Sequence, residues 1–323
     1  MARRGAGRHY NGALMSQETA RSGRVAIVGR PNVGKSTLLN ALLGQKLAIA
    51  TEKPGTTRST LLGVYLQKTP PTQIAFIDTP GMHRPRNALG RALVEDAKSS
   101  LEGSDAVAMI TDLGKNVHPQ TFLGGGDSEV LAQLAERKGS VVLVINKIDR
   151  LKHKQELLPL MARAAEVFPF SAVVPVSARN RDNLGALVSA LREHLPEGFA
   201  YDEQLLTDKP ERFFASELIR EAVLEHTRDE VPHGVAVLIE AFEDSPELAR
   251  VSATIVVSRE GHKGILIGKG GDRLKQIGTE ARVAMEQLFG RKVFLELWVK
   301  VISDWTDDPA KVQRLVREPL GSS

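Results

Sequence analysis

Two short stretches of this chain have residues suited to holding phosphate. "GRPNVGKS", Gly29 to Ser36, and "GILIGKGGDRLKQIG", Gly264 to Gly278, each run apolar residues into a glycine–lysine turn that opens a helical pattern. In the first, Gly29 and Gly34 bracket Arg30, Pro31, Asn32 and Val33, and Lys35, Ser36 and Thr37 follow. Glycines at that spacing let the backbone fold tightly, so that amide N–H groups and the positive end of a helix dipole face an anion. Lys35 is placed to reach the β- and γ-phosphates of a nucleotide, and the Ser36 hydroxyl to ligate Mg²⁺. An apolar run, "RVAIV", precedes the loop and "STLLNALL" continues it, the strand-before, helix-after setting that such a loop requires.

Three more stretches follow in an order that gives them meaning. "DTPG", Asp78 to Gly81, closes the run "QIAFI". An acid there holds Mg²⁺ through water, and Gly81 presents its N–H to a γ-phosphate. "VINKID" carries Asn146, Lys147 and Asp149. A carboxylate at Asp149 accepts from the N1–H and N2–H₂ edge of guanine. Adenine would leave that carboxylate unpaired, at a cost of about 1–3 kcal/mol. Asn146 ties this loop to the phosphate loop and touches the base N7, while the stem of Lys147 covers the ring. "VSA", with Ser177 and Ala178, offers a backbone N–H to the guanine O6. The nucleotide expected is therefore GTP rather than ATP.

Between the first helix and the strand "QIAFI", where a hairpin begins, lies "TEKPGTTRSTLLG". A loop at that place supplies a threonine to Mg²⁺ and the γ-phosphate and relaxes after hydrolysis. Thr57 is the first choice and Thr56 the second. After Gly81 come Met82 and His83 where many GTPases carry a water-orienting glutamine. Catalysis then rests on Mg²⁺, Lys35 and loop amides neutralising the phosphoryl group in flight. Slow intrinsic turnover is expected, with His83 a poorer choice as general base.

The second glycine loop has no hydroxyl after its lysine and no base-reading loop downstream. Its G-x-x-G, Gly268, Lys269, Gly270 and Gly271, instead lets a nucleic-acid backbone come close while Lys269 neutralises a phosphate. Arg259 to Lys292 holds eight basic residues against four acids, Lys263, Arg273 and Lys275 among them. Such charge favours RNA through counterion release. Ile265, Ile267 and Ile277 suit either an apolar groove or a core.

Alternating buried-strand runs and helical patterns position the nucleotide motifs: "RVAIVG", "QIAFID", "DAVAMITD", "SVVLVIN" and "AVVPVS", with helices over "KSTLLNALLG", Asn87 to Glu102, Asp127 to Arg137 and His153 to Val167. This is an α/β domain with a mostly parallel sheet and one antiparallel hairpin strand, "TLLGVYLQ". The stretch "LGGGDS" reads as an ordinary loop. After a Pro-interrupted linker the order becomes helix, strand, strand, short apolar turn, helix, strand, a smaller α+β unit. The predicted divisions are a disordered basic leader (1–22), the nucleotide domain (23–197), the linker (198–212), the RNA-binding unit (213–310) and a tail (311–323).

The bulk numbers agree. The 323 residues suit two domains, and the 42% hydrophobic content serves two cores. No cysteine is present, which excludes disulfides and thiolate-held metals. The net charge of +4 is mildly basic.

Taken together, "GRPNVGKSTLLNALLGQKLAI", "TTR", "DTPGMH", "NKID", "VSA", "RFFASELIREAVL", "IGKGG" and "LELWVKV" resemble the Era family of bacterial-type GTPases. That resemblance implies a P-loop GTPase domain followed by a type II KH domain. It implies a monomeric cytoplasmic protein that binds GTP and GDP, uses Mg²⁺, and binds small-subunit ribosomal RNA near its 3′ end on the pre-small-subunit particle. Peripheral contact with the inner membrane is also open. Relatives with asparagine at the position of Asn32 and T-T-R downstream hold K⁺ against the phosphates. Asn32 either does this or simply shapes the turn. Two alternatives stay open: a nucleotide-bound RNA scaffold without turnover, and a GTPase that assists RNA modification.

Overall fold

The computed structural model describes residues 19–51, 53, 56–82, 85, 87–114, 118–137, 139–227 and 231–317. The leader up to residue 18, His83 and the chain from 318 onward lie outside the described residues.

Six strands form the first sheet: β1 (Arg21–Gly29), β2 (Leu61–Lys68), β3 (Pro71–Asp78), β4 (Ala106–Asp112), β5 (Val141–Asn146) and β6 (Ala172–Pro175). Their order is β2-β3-β1-β4-β5-β6. Within this sheet β2 runs antiparallel; β1, β3, β4, β5 and β6 are parallel. Parallel strands end on one edge, so the loops after Gly29, Asp78, Asp112, Asn146 and Pro175 gather there. Valine and isoleucine fill these strands because helices cover both faces. Val25, Ile27, Phe76, Ile110 and Val144 form the core on one face, and Ala26, Val28, Met109, Leu143 and Ile145 on the other.

The helices α1 (Lys35–Leu43), α2 (Ala88–Glu102), α3 (Gly126–Gln133), α4 (Leu157–Val167) and α5 (Leu184–Arg192) complete this lobe. Asn87 caps α2 by accepting from the Gly90 N–H at 2.8 Å. The helix α5 was not singled out from sequence; Leu187, Val188 and Leu191 bury its apolar stripe.

The second lobe runs α6 (Glu211–His226), β7 (Val235–Asp244), β8 (Leu248–Val257), α7 (Glu260–Ile267), α8 (Asp272–Phe289) and β9 (Lys292–Val301). Its sheet is β7-β8-β9, antiparallel then parallel. Ile219, Ala222, Ala281 and Met285 of the helices pack on Val251, Ala253 and Ile255. The apolar turn expected before the glycine loop is the helix α7, pinned by the fully buried Leu266.

Three sequence boundaries and one loop reading need correction. The leader does not reach residue 22: β1 begins at Arg21, Ser22 is buried, and its N–H donates to the Pro196 carbonyl at 3.0 Å. The linker stops at residue 210, since α6 begins at Glu211, and it is fastened to the sheet: the Gln73 amide bonds the backbone of Ala200 and Tyr201, and Leu206 O accepts from Val64 N at 2.8 Å. The tail packs as far as residue 317. There α9 (Pro309–Val312), capped by Asp308, and the turn after it bury Val312, Leu315 and Val316 against Trp305 and α2. Finally, "LGGGDS" opens α3 and buries Asp127, because that carboxylate meets Arg30 and Thr111.

Candidate functional site

The gathered loops enclose a cleft of about 260 Å³. Pro31, Gly34, Lys35, Ser36, Thr37, Thr57 and Gly81 line one end; Asn146, Lys147, Asp149 and Ala178 line the other. Gly34 has φ +101°, and a Cβ there would stand 2.4 Å from the Asn146 amide nitrogen, so only glycine fits. Asn146 ties three loops. Its Nδ2 donates to the Val33 carbonyl at 2.8 Å, and its Oδ1 accepts from the N–H groups of Lys147 at 2.8 Å and Ala178 at 3.0 Å.

At the phosphate end, Lys35 bends back, donating to the carbonyls of Gly29 at 3.3 Å and Arg30 at 3.0 Å. Burial lowers its pKa to about 8, against the opposing pull of Asp78. Burial likewise raises Asp78 to about 6. Ser36 Oγ donates to Asp78 Oδ2 at 2.8 Å, and Thr57 Oγ1 lies 2.9 Å from Ser36 Oγ and 3.4 Å from Asp78 Oδ2. Asp78 Oδ1 is buried with no hydrogen-bond partner among the described residues. Three converging oxygen ligands and one orphaned carboxylate oxygen are what a hard divalent cation requires, so the residues fit Mg²⁺. Thr56 also lines the cleft, but its hydroxyl is engaged within its own loop, donating to the Lys53 carbonyl at 2.6 Å and meeting that of Thr51 at 2.8 Å. Met82 is buried in the core beside Ala26 and Val28, out of reach of a water in the cleft.

At the base end, Asp149 Oδ1 accepts from Ser177 Oγ at 2.6 Å, which orients the carboxylate. Lys147 Nζ donates to the Asn32 carbonyl and to Asp112 Oδ2, both at 2.7 Å. Sequence reading missed Asp112 and Asp127. Asp112 also accepts from Arg30 Nη2 at 3.2 Å, and Asp127 from Arg30 Nε at 2.7 Å. These two acids lock the phosphate loop to β4 and α3. The available signal for Asp112 was its place at the end of an apolar run, the place Asp78 holds on β3.

The second glycine loop projects from the other lobe. Gly268, Gly270 and Gly271 have φ of +74°, +64° and +88°. A Cβ on Gly270 or Gly271 would meet nothing within 4 Å among the described residues, so this backbone is open to a ligand. Lys269 and Lys275 are exposed, Lys263 is half-buried, and Arg273 donates to the Ile265 carbonyl at 2.7 Å, bracing the loop against α7. A groove of about 410 Å³ continues from Gly271 between Leu274, Lys275, Thr279 and Arg282 of α8 and Leu295 and Leu297 of β9. Of the isoleucines weighed for such a groove, Ile277 is wholly buried in the core, and Ile265 and Ile267 lie outside the lining. Arg291 is taken up elsewhere, in ion pairs with Glu211 and Asp244.

Comparison with known proteins agrees with this arrangement. The family described as 50S ribosome-binding GTPase matches residues 24–147, and the KH domain family matches residues 230–306. GTPase Era of Xanthomonas oryzae pv. oryzae (strain MAFF 311018) is 46% identical over 295 residues, covering 91% of this chain and 96% of its own. The chain belongs to the Era family of GTPases. Like its family, this Era-type chain hydrolyses GTP. A solved structure of Era with MgGDPNP and nucleotides 1506–1542 of 16S ribosomal RNA superposes with a TM-score of 0.86 at 40% identity, covering 92% of this chain and 98% of that one. A single-residue variant of Aquifex aeolicus Era bound to GDP.AlF4- gives 0.85 at 40% identity, covering 91% and 98%. The P-loop domain with its mostly parallel sheet and the KH domain after it are the Era architecture.

Proposed function

We propose that this protein is a GTP-driven RNA-binding switch that acts in the cytoplasm during assembly of the small ribosomal subunit. The residues near 23–197 form its GTPase domain and those near 213–310 its RNA clamp. The observation that carries the reading is the superposition, over 92% of the chain, on an Era solved with both MgGDPNP and a 16S RNA segment.

In this reading the backbone N–H groups from Gly29 to Thr37, Pro31 excepted, hold the phosphates; Asp149 selects guanine, and the Ala178 N–H turns from Asn146 Oδ1 to the guanine O6. Ser36 and Thr57, with Asp78 through a water, would hold Mg²⁺, which would supply positive charge against the developing phosphate charge. Lys35 leaves its carbonyl partners for the β- and γ-phosphates, where its charge is better used in a buried site. Thr57 fixes the γ-phosphate side and Gly81 offers its N–H there. A potassium ion beside Asn32 belongs to the same proposal. The clamp is Gly268 to Gly271, with Lys263, Lys269, Arg273 and Lys275 on its rim and the α8–β9 groove receiving unpaired bases.

Crosslinking followed by RNA sequencing tests this, wild type against Gly270→Asp. The expected outcome is a discrete set of sites on small-subunit RNA that disappears in the variant, while hydrolysis without RNA is unchanged. Crosslinks spread evenly over unrelated RNA in both proteins would remove the reading.

A further inference from the structure

The loop that carries Thr57 is held by the RNA-binding lobe. The Ala50 N–H donates to Glu221 Oε1 at 3.3 Å, and Lys46 pairs with Glu221 Oε2 at 2.6 Å. Lys53 donates to the carbonyls of Leu224 and Thr227, at the end of α6 where helical carbonyls lack partners. The Thr56 carbonyl accepts from Arg220 Nη2, and Arg58 donates to the Val235 carbonyl at the start of β7. Thr57 stands between the two held residues and points the opposite way, onto Ser36 and Asp78. Contacts on the second lobe thus bracket the contact on the nucleotide site from both sides.

The innermost of these contacts are dry. Thr56, Arg58, Arg220 and Glu221 are each under a tenth exposed. Arg220 holds Glu217 at 2.9 and 2.6 Å, yet its Nη1 has no partner among the described residues and borders a cavity of about 30 Å³ shared with Arg58 and Glu217. Burial, and then the nearby Arg220 charge, lower the Arg58 pKa to about 9, which leaves it cationic at neutral pH. Two guanidiniums desolvated around one carboxylate depend on backbone carbonyls for compensation. One is the Thr56 carbonyl. If the loop withdraws, Arg220 loses an acceptor in a buried site, so the placing of Thr57 and the docking of α6 change together.

We propose that Arg220 and Glu221, side chains of the RNA-binding lobe, are positioning residues for GTP hydrolysis: they hold the loop so that Thr57 faces Ser36 and Asp78. The inference rests on the reading of Thr57 given under the proposed function. It also gives the coupling a route. The opposite face of α6 packs through Ala215, Leu218 and Ala222 on Ala281 and Met285 of α8, the helix that follows the glycine clamp. A nucleotide that draws Thr57 inward therefore pulls on an element packed against the clamp, and by linkage a ligand on the clamp acts back on Thr57.

The test uses the full chain, with steady-state GTP hydrolysis and the affinities for GDP and a non-hydrolysable GTP analogue measured across a Mg²⁺ titration. Arg220→Ala is expected to lower kcat about tenfold or more through misplacement of Thr57. It should weaken the analogue and raise its Mg²⁺ requirement, with GDP affinity unchanged. A purely structural role would weaken both nucleotides alike. Arg220→Lys keeps the charge and one donor and should recover part of the loss. Glu221→Gln, which keeps the acceptor for Ala50, should show a smaller change in the same direction. If Arg220→Ala does not fold, the other two variants decide. Wild-type kcat and a wild-type ratio of analogue to GDP affinity in the folded variants would overturn the inference. Thr57→Ala separates the two ideas. Intact hydrolysis there removes the reading of Thr57, whereas lost hydrolysis beside wild-type Arg220 variants removes only the part given to the RNA-binding lobe.

Discussion

Gly34 and Gly270 both turn the chain through left-handed backbone ahead of a helix, yet their surroundings are opposite. Around Gly34 other loops close in, a Cβ would strike Asn146, and the adjacent Lys35 is buried. Around Gly270 a Cβ would find open space, and the adjacent Lys269 is exposed. An enclosed loop can count every hydrogen bond of a small ligand, so it selects. An open loop touches only the backbone of a chain that runs past it, and selectivity must come from the groove beyond. The same local chemistry, glycine with lysine at a helix start, therefore serves a nucleotide in one place and a polymer in the other. What differs is how many distant strands deliver their ends to the loop.

The largest break in this comparison is Lys35→Ala. Loss of one buried donor to a charge-developing phosphate is expected to lower kcat about 10²–10³-fold. RNA retention on the clamp should persist. Because burial lowers the Lys35 pKa to about 8, its ammonium is held at a cost in the nucleotide-free protein. Thermal unfolding of the nucleotide-free variant should therefore occur no lower than in wild type. A Tm well below wild type would mean that the Gly29 and Arg30 carbonyl contacts outweigh that cost.

Asp149→Asn should have the next largest effect. The amide would set a donor against the N1–H and N2–H₂ donors of guanine, losing about 1–3 kcal/mol, or about 5-fold to 140-fold in GTP affinity. Ser177 still finds an acceptor on the new side chain, so the loop should keep its shape. Competition between GTP and ATP in equilibrium binding reads the outcome. Undiminished preference for GTP would shift the choice of base to the 177–178 loop.

How much of this was open to sequence reading divides along the same line. The five parallel strands and the loops after β1, β3, β5 and β6 were legible because each is a contiguous run whose types and order state its job. The helix α7 was not, since eight residues including Gly261 and Gly264 carry little helical preference of their own, and tertiary burial of Leu266 decides it. Asp112 and Asp127 were not singled out, because nothing in their own stretches shows that Arg30 meets them. Arg220 was not singled out, because its partner Thr56 lies 164 positions away. A lone sequence shows which groups are present. It does not show which of them lose their water to one another.

The finest test concerns charge on the open loop. The stretch 259–292 carries a net +4, but its basic residues are not equivalent. Lys275 is exposed on the groove, whereas Arg291 is held by Glu211 and Asp244. A lysine that neutralises one phosphate of a single strand contributes about 0.7 to the slope of log affinity against log salt. Lys275→Ala should therefore reduce that slope by about this much and weaken all RNA sequences alike. Arg291→Ala should leave the slope unchanged, although loss of the Glu211 pair lowers stability. Salt titrations of RNA binding for both variants give the answer. Equal slopes in the two would mean that the lobe attracts RNA by its overall charge, and that the groove adds no phosphate contact at Lys275.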